Sequence, residues 1–305
     1  IAKVSASYAG HINSQTAGPG LAILKHGTKH QKERYLPGLT SGEILGSIGS
    51  TEPDAGSDVA SLKMTAGKNE KGYVLNGTKT WITNATGADL CLVFAYTNKE
   101  KRHQGISCFL VDLRGRPGIT THPIETLGLS CAPTGEISFQ EVQLASDCLL
   151  GMPGQGFKIL MEMLSNTRLF AAACALGVGG ACLEASLRYA KERKQFGQPL
   201  SKFQMIQEQI ATMYIEHEAS KLLVYQAGLN KDKGRQDNIE GSLSKDFACE
   251  AAIKAADVTL KIYGSYGYSM EYPVQRFIRD SRAFHIYEGT SNIQKVIIAK
   301  HLLNL

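Results

Sequence analysis

Residues 286–294 read "IYEGTSNIQ". Glu288 stands on a Tyr-Glu-Gly-Thr turn just ahead of an apolar-periodic run, Ile293, Val296 and Ile297. Ser291 and Gln294 have the spacing of a capping box, so a helix is expected to start there with Glu288 on the loop before it. A carboxylate in that place can be a general base if an apolar setting raises its pKa toward neutrality. It can equally be a surface acid favoured by the helix dipole, by about 0.3–1 kcal/mol. Residue type and position leave both readings open.

Other groups could do chemistry in principle. "GMPGQGF" and "YGSYGYS" resemble phosphate loops, but a dinucleotide fingerprint needs strand, Gly-rich turn, helix and a second strand. The helix after Gly156 leads into more helix, so these segments read as a helix N-terminus and a tight turn. His26 and His30 are four apart, yet Gly27 lies between them and no acid completes a ligand set. Asp54 and Asp58 in "EPDAGSD" lack the calcium-loop pattern, so no metal is expected. Arg188, Lys191, Arg193 and Lys194 in "RYAKERKQFG" fall at a predicted helix C-terminus, where cations complement the dipole.

These groups need elements to hold them. Residues 1 to about 40 read as helical, with "HGTKHQKERYLPGL" giving a Gly break, a polar helix and a Pro-Gly stop. From about Ile44 the period changes. "GYVLNGTKTWIT" has β-rich runs on either side of Asn76-Gly77, a hairpin signal. "LCLVFAYT", "ISCFLVDL", "GITTHPI" and "GEISFQEVQL" follow at strand length, giving an antiparallel β-domain. After "GMPGQGF" long helices return, over 157–192, about 203–228, 242–263 and 292–303, with a short one near 273–280. Gly197 and Pro199 are expected to end the first, and "GRQDNIEG" is expected to be a loop. The fold class is therefore α+β in three domains: 1–44 helical, 45–150 β, and 151–305 a helical bundle.

The 305 residues are 43% hydrophobic and 20% charged, ordinary for a globular chain. The formal net charge of +5 is spread among acids, with no block suggesting a nucleic-acid partner. The seven cysteines (Cys91, Cys108, Cys131, Cys148, Cys174, Cys182 and Cys249) are odd in number and contain no C-x-x-C. They read as buried, reduced thiols. The uncharged run between Arg168 and Glu184 is short and Ala/Gly-rich for a membrane span, which needs about 20 apolar residues. No signal peptide is visible, but the chain opens at Ile1 without Met, which leaves room for a segment upstream.

Five motifs together carry a resemblance: "STEPDAGSD" (50–58), "WITN" (81–84), "RKQFGQPLSKFQ" (193–204), "YGSYGYSMEYPVQRFIRD" (263–280) and "IYEGTSNIQ". In order and spacing they resemble the flavin-dependent acyl-CoA dehydrogenase family across essentially the whole chain. The resemblance implies that family's fold: N-terminal helices, a middle antiparallel β-barrel domain and a C-terminal four-helix bundle. It implies FAD as cofactor and an acyl-CoA thioester as substrate. Glu288 would remove the α-proton, flavin N5 would take the β-hydride, and an electron-transfer flavoprotein would receive the electrons. Ser50, Thr51, Trp81 and Thr83 match positions at the flavin ring. Arg193, Phe196 and Gln204 match residues reaching the FAD of a neighbouring subunit, which implies a homo-oligomer, a tetramer. Thr290 and Asn292 match late flavin contacts, and Lys261 and Ser265 stand at FAD-adjacent positions. Ser57, Arg168, Tyr287 and Gly289 match substrate-side positions. The implied compartment is a mitochondrial matrix or a bacterial cytoplasm.

The chain departs from the family pattern in places. Lys261 stands where Gln is usual, Ser265 where a second Gly is usual, and Ser130 where Arg is common. The chain begins inside the N-terminal helical domain, after the family's first helices, so acyl length is not implied. Two alternatives follow: a carrier-protein thioester as substrate, or a non-catalytic member of the fold.

Overall fold

The computed structural model describes residues 1–234 and 238–305. Contacts divide the chain into two compact units, one of residues 11–126 and 131–167, the other of residues 1–10, 127–130 and 168–305.

The first unit is built on a sheet. It includes α1 (Ala6–Gln15) from His11 onward, a π-helical turn Thr16–Gly20, α2 (Leu21–His26) and α3 (Lys29–Ser41). Thr28 and Gln31 form the capping box of α3, Gln31 N donating to Thr28 Oγ1 at 3.2 Å and Thr28 N to Gln31 Oε1 at 2.9 Å. The expected stop at Pro37-Gly38 does not occur. The helix continues to Ser41 and ends at Gly42 in the left-handed region, φ 82°. Gly38 lies inside it because a Cβ there would come within 2.6 Å of Ile44.

Eight strands follow: β1 (Gly46–Gly49), β2 (Thr65–Asn69), β3 (Gly72–Thr83), β4 (Leu90–Tyr96), β5 (Ile106–Asp112), β6 (Ile119–Ile124), β7 (Thr134–Leu144) and β8 (Leu149–Leu150). Their order is β6-β7-β3-β2-β4-β5-β8. The sheet is antiparallel except where β1 runs parallel beside β4 and where Thr65 of β2 pairs in parallel with Tyr96 of β4. Every residue of β4 is buried, as expected of a strand covered on both faces. Leu90, Leu92 and Phe94 pack with Ile23, Leu39, Ile159 and Met163. The alternate residues Cys91, Val93 and Ala95 pack with Leu75, Phe109 and Val142.

Asn76-Gly77 is not a hairpin. β3 runs straight through it, and the β2–β3 connection falls at Glu70-Lys71. The pair instead marks a register shift against β7. Asn76 Nδ2 donates to Glu141 Oε1 at 2.5 Å, and Glu141 N donates to Asn76 Oδ1 at 2.9 Å. A Cβ at Gly77 would lie 2.9 Å from the Met64 side chain, so the glycine serves close packing under the bulge.

The second unit is helical. It holds α4 (Gly156–Glu192) from Arg168 onward, a hairpin of β9 (Lys194–Gln195) and β10 (Gln198–Pro199), α5 (Gln204–Asp232), α6 (Asn238–Tyr263), α7 (Ser265–Tyr268), α8 (Val274–Arg282) and α9 (Ser291–Leu303). Residues 235–237 of the expected "GRQDNIEG" loop lie outside the described residues, and Asn238 to Gly241 already belong to α6. Gly197 does not end α4. That helix stops at Glu192, and Phe196 and Gly197, both at positive φ, turn the small hairpin. Ala172, Ala175, Cys182 and Ala185 of α4 share a core with Ala248, Cys249, Ala252 and Ala256 of α6. By length and composition α4 could cross a bilayer, but 61% of its most apolar stretch is buried inside the protein. All seven cysteines are free. Five are buried as expected, whereas Cys131 is exposed and Cys148 half-buried, both on connections outside the strands.

Candidate active site

In the helical unit the chain leaves α8 through a short 3-10 turn, and the amides of Ile286 and Tyr287 both donate to Ala283 O, at 2.9 and 3.1 Å. Glu288 then takes a left-handed conformation, φ 57°, followed by Gly289 at φ 86°. For a residue with a Cβ this costs about 1–2 kcal/mol, and it persists only where the surroundings over-determine it. Here they do. Gln294 Nε2 donates to Glu288 O at 3.2 Å and to Gly289 O at 2.9 Å. Lys245 Nζ, from α6, donates to the same Gly289 O at 2.6 Å. Both donors have 0% exposure.

The expected capping box is therefore absent. Thr290 is the N-cap, its Oγ1 accepting from Ile293 N at 3.3 Å. The Gln294 amide turns away from the helix end to hold the turn instead. A Cβ on Gly289 would meet that amide at 2.7 Å and the Arg168 Nε at 3.9 Å, so Arg168 of α4 lies against the same turn. Arg168 is buried, and its Nε has no hydrogen-bond partner among the described residues. Burial lowers its pKa, with the Glu288 charge opposing. Burial likewise lowers the pKa of Lys245, opposed by Cys249, Glu288 and Asp246, while Arg168 adds to the lowering. Burial also holds the Tyr287 hydroxyl well above its ordinary range. Glu288 and Gly289 are only half-buried. The result is a half-buried glutamate on a clamped turn, with two buried cations, Arg168 and Lys245, that feel its charge.

The sheet unit holds a second group. Lys79, with 0% exposure, donates to Glu52 Oε1 at 2.8 Å and to Ser50 O at 3.3 Å. Glu52 also accepts from Lys63 N at 2.5 Å and Met64 N at 3.1 Å. Burial lowers the Lys79 pKa and the Glu52 charge opposes it. Thr80 N donates to Thr51 O at 3.0 Å. The Ser50-Thr51 segment is thereby fixed on β3. Two residues further, a register shift between Lys79 and Ile82 re-aims the strand. Trp81, at its apex, has φ 59° and 61% exposure. Asn84, at φ 66°, is fully buried and donates to Gly46 O at 3.3 Å. An indole held on a strained bulge with its surface open suits a flat aromatic partner, so these residues fit a flavin ring. Thr83 is half-buried at the end of β3, and Ser57 is exposed on the preceding loop.

The remaining predicted residues lie elsewhere in the helical unit. Phe196 is 92% exposed at the β9–β10 tip. The Arg193 guanidinium lies over the Tyr266 ring, 5.3 Å from its centroid. Gln204 is exposed at the start of α5, Lys261 near the end of α6, Ser265 at the start of α7 and Asn292 in the first turn of α9. Among the described residues no cluster of His, Cys, Asp and Glu could hold a metal ion.

Sequence reasoning passed over Lys245, Lys79 and Glu52, and gave Gln294 only a capping role. The signal for Lys245 was present: it shares a helical stripe with Cys249, Ala252 and Ala256, all buried.

Comparison with known proteins gives three family matches in chain order. The N-terminal domain of acyl-CoA dehydrogenases matches residues 1–43, the middle domain 47–142 and the C-terminal domain 154–303. The chain belongs to the acyl-CoA dehydrogenase family. It is thus of an oxidoreductase class, with that family's helical, sheet and helical succession. Glutaryl-CoA dehydrogenase of Desulfococcus multivorans is 44% identical over 300 residues, which is 98% of this chain and 77% of that protein. A glutaryl-coenzyme A dehydrogenase solved with glutaryl-CoA superposes with a TM-score of 0.98 at 43% identity, over 100% of this chain and 77% of the other. A chain from the structure described as electron transferring flavoprotein of Acidaminococcus fermentans gives 0.97 at 35% identity, over 100% and 80%.

Proposed function

We propose that the chain carries out FAD-dependent α,β-dehydrogenation of an acyl-CoA thioester, with Glu288 as the base. The observation supporting this most strongly is the Glu288–Gly289 turn, held in a left-handed conformation by Lys245 and Gln294. The Glu288 carboxylate takes the α-proton, so the Cα–H bond breaks with its electron pair left on the acyl carbon. FAD, when bound, supplies the acceptor for the β-hydrogen and both its electrons. The backbone N–H of Glu288 donates to the thioester carbonyl and stabilises the charge that develops there. The buried Nε of Arg168 offers a further donor on the substrate side. Gly289 keeps the turn open to the ligand, and Tyr287 lines the acyl side.

Ser50, Thr51, Trp81 and Thr83 would hold the flavin ring, and Thr290 and Asn292 would make later contacts. Lys261 and Ser265 would lie beside FAD, and Ser57 would contact the thioester's carrier arm. Arg193, Phe196 and Gln204 would reach the FAD of a neighbouring copy in a homotetramer. The 92% exposure of Phe196 and the exposed Ile215, Leu222, Tyr225 and Leu229 on α5 support an assembly that covers them. In this reading residues 1–44, 45–150 and 151–305 are the three domains. Electrons would pass to an electron-transfer flavoprotein. The free thiols suit a reducing compartment, a bacterial cytoplasm or mitochondrial matrix.

The test is a visible spectrum of the purified protein, followed by anaerobic addition of a panel of acyl-CoA thioesters. A flavin spectrum that bleaches with one of them supports the reading. A flavin spectrum indifferent to CoA esters but bleached by a carrier-protein thioester replaces the substrate class. A protein that stays colourless after incubation with FAD refutes the reading.

A further inference from the structure

We propose that Lys245 is a positioning residue for Glu288: its buried ammonium, donating to the Gly289 carbonyl, holds the turn that aims the carboxylate. The inference rests on the reading of Glu288 as the base.

The geometry carries it. Lys245 sits on the apolar stripe of α6, where a lysine is costly, and has 0% exposure. Its Nζ reaches Gly289 O at 2.6 Å. Gln294 Nε2 takes the carbonyls of Glu288 and Gly289. Two consecutive peptide planes are thus pinned from the C-terminal side, while Ala283 O holds the amides of Ile286 and Tyr287 from the other. Pinning those planes fixes both dihedrals of Gly289 and the place of the Glu288 Cα, from which the carboxylate side chain departs. Gln294 alone could satisfy both carbonyls. The lysine adds a second donor and a positive charge facing Glu288. Around that charge stand Asp246 and Cys249 on α6 itself, Arg168 on α4 and Glu288 on the turn. Packing would be served better by an apolar side chain. The charge favours ionised Glu288, the form that accepts a proton.

The test uses the FAD-loaded enzyme and three variants: Lys245→Met, Lys245→Gln and Glu288→Gln. Flavin reduction by an acyl-CoA thioester is followed anaerobically against pH, alongside substrate affinity and thermal unfolding. Lys245→Met should fold with flavin, bind substrate with little change and reduce flavin about 10²-fold more slowly, the scale for a misplaced reacting group. The acid limb of its pH profile should move to higher pH, because a positive charge facing Glu288 has gone. Lys245→Gln keeps a neutral donor, so it should recover part of the rate with the limb still displaced. Wild-type rates and an unmoved limb in Lys245→Met, with Glu288→Gln inactive, would overturn the positioning role alone. So would a rate loss matched by lost stability with an unmoved limb, or failure of both Lys245 variants to fold, since each assigns Lys245 to packing. Wild-type flavin reduction in Glu288→Gln would instead overturn the base reading beneath it.

Discussion

Replacing Lys79 by Met tests the sheet half of the account. Lys79 and Glu52 form a buried pair, 0% and 5% exposed. Lys79→Met removes the buried ammonium that donates to Glu52 and leaves its carboxylate supported by the amides of Lys63 and Met64. Breaking one side of a buried pair costs about 3–5 kcal/mol, because the remaining charge is uncompensated. The double change Lys79→Met with Glu52→Leu removes both charges and should recover most of that loss. Ser50 O also loses its donor, so both variants should bind FAD more weakly even where stability returns. Urea unfolding gives the first quantity and titration with FAD the second. A Lys79→Met protein within about 1 kcal/mol of wild type, the range of a surface pair, would refute the reasoning. So would a double variant no more stable than the single one.

Three further outcomes follow from the structure. Gly289→Ala places a Cβ at φ 86° and 2.7 Å from the Gln294 amide; it should cost about 1–2 kcal/mol and slow flavin reduction by stopped-flow absorbance. Trp81→Ala should weaken FAD binding with little change in unfolding midpoint, since the indole is 61% exposed. Burial pushes the Cys91 thiol up to about 11 and the Cys174, Cys182 and Cys249 thiols up to about 12. Because folding raises these pKa values, their contribution is complete below the ordinary thiol range and is lost as pH rises through the folded values. Unfolding midpoints should therefore fall as pH climbs above about 9, and at neutral pH a thiol reagent should modify the exposed Cys131 first.

The legible parts of the sequence were those with a strong local period. The four long helices and the strands β4 to β7 stand close to where alternation and helical spacing put them, because their buried faces repeat over many residues. Three of the local signals that misled show why. Pro37-Gly38 did not end α3, because Gly38 is needed for contact with Ile44. Asn76-Gly77 formed a bulge because Met64, just before β2, and Glu141, on β7, act on it. Ser291 and Gln294 did not form a capping box because Gln294 is drawn to the turn before the helix. Each outcome was decided by a contact outside the short signal itself, six residues along the chain for Gly38 and Ile44 and 65 for Asn76 and Glu141. The same holds at the candidate site. Glu288 was visible from its motif, but the clamp around it comes from α6 and α9, and only the fold brings Lys245, Gln294 and Arg168 to it.

The measurement bearing most directly on the central claim is anaerobic flavin reduction in Glu288→Gln beside the wild type, using whichever acyl-CoA thioester bleaches the wild-type flavin. Glutamine preserves the size of the side chain and removes its basicity. The account predicts a variant that keeps its flavin spectrum, binds the thioester and leaves the flavin oxidised. Reduction at the wild-type rate would show that another group takes the proton, and would contradict the account.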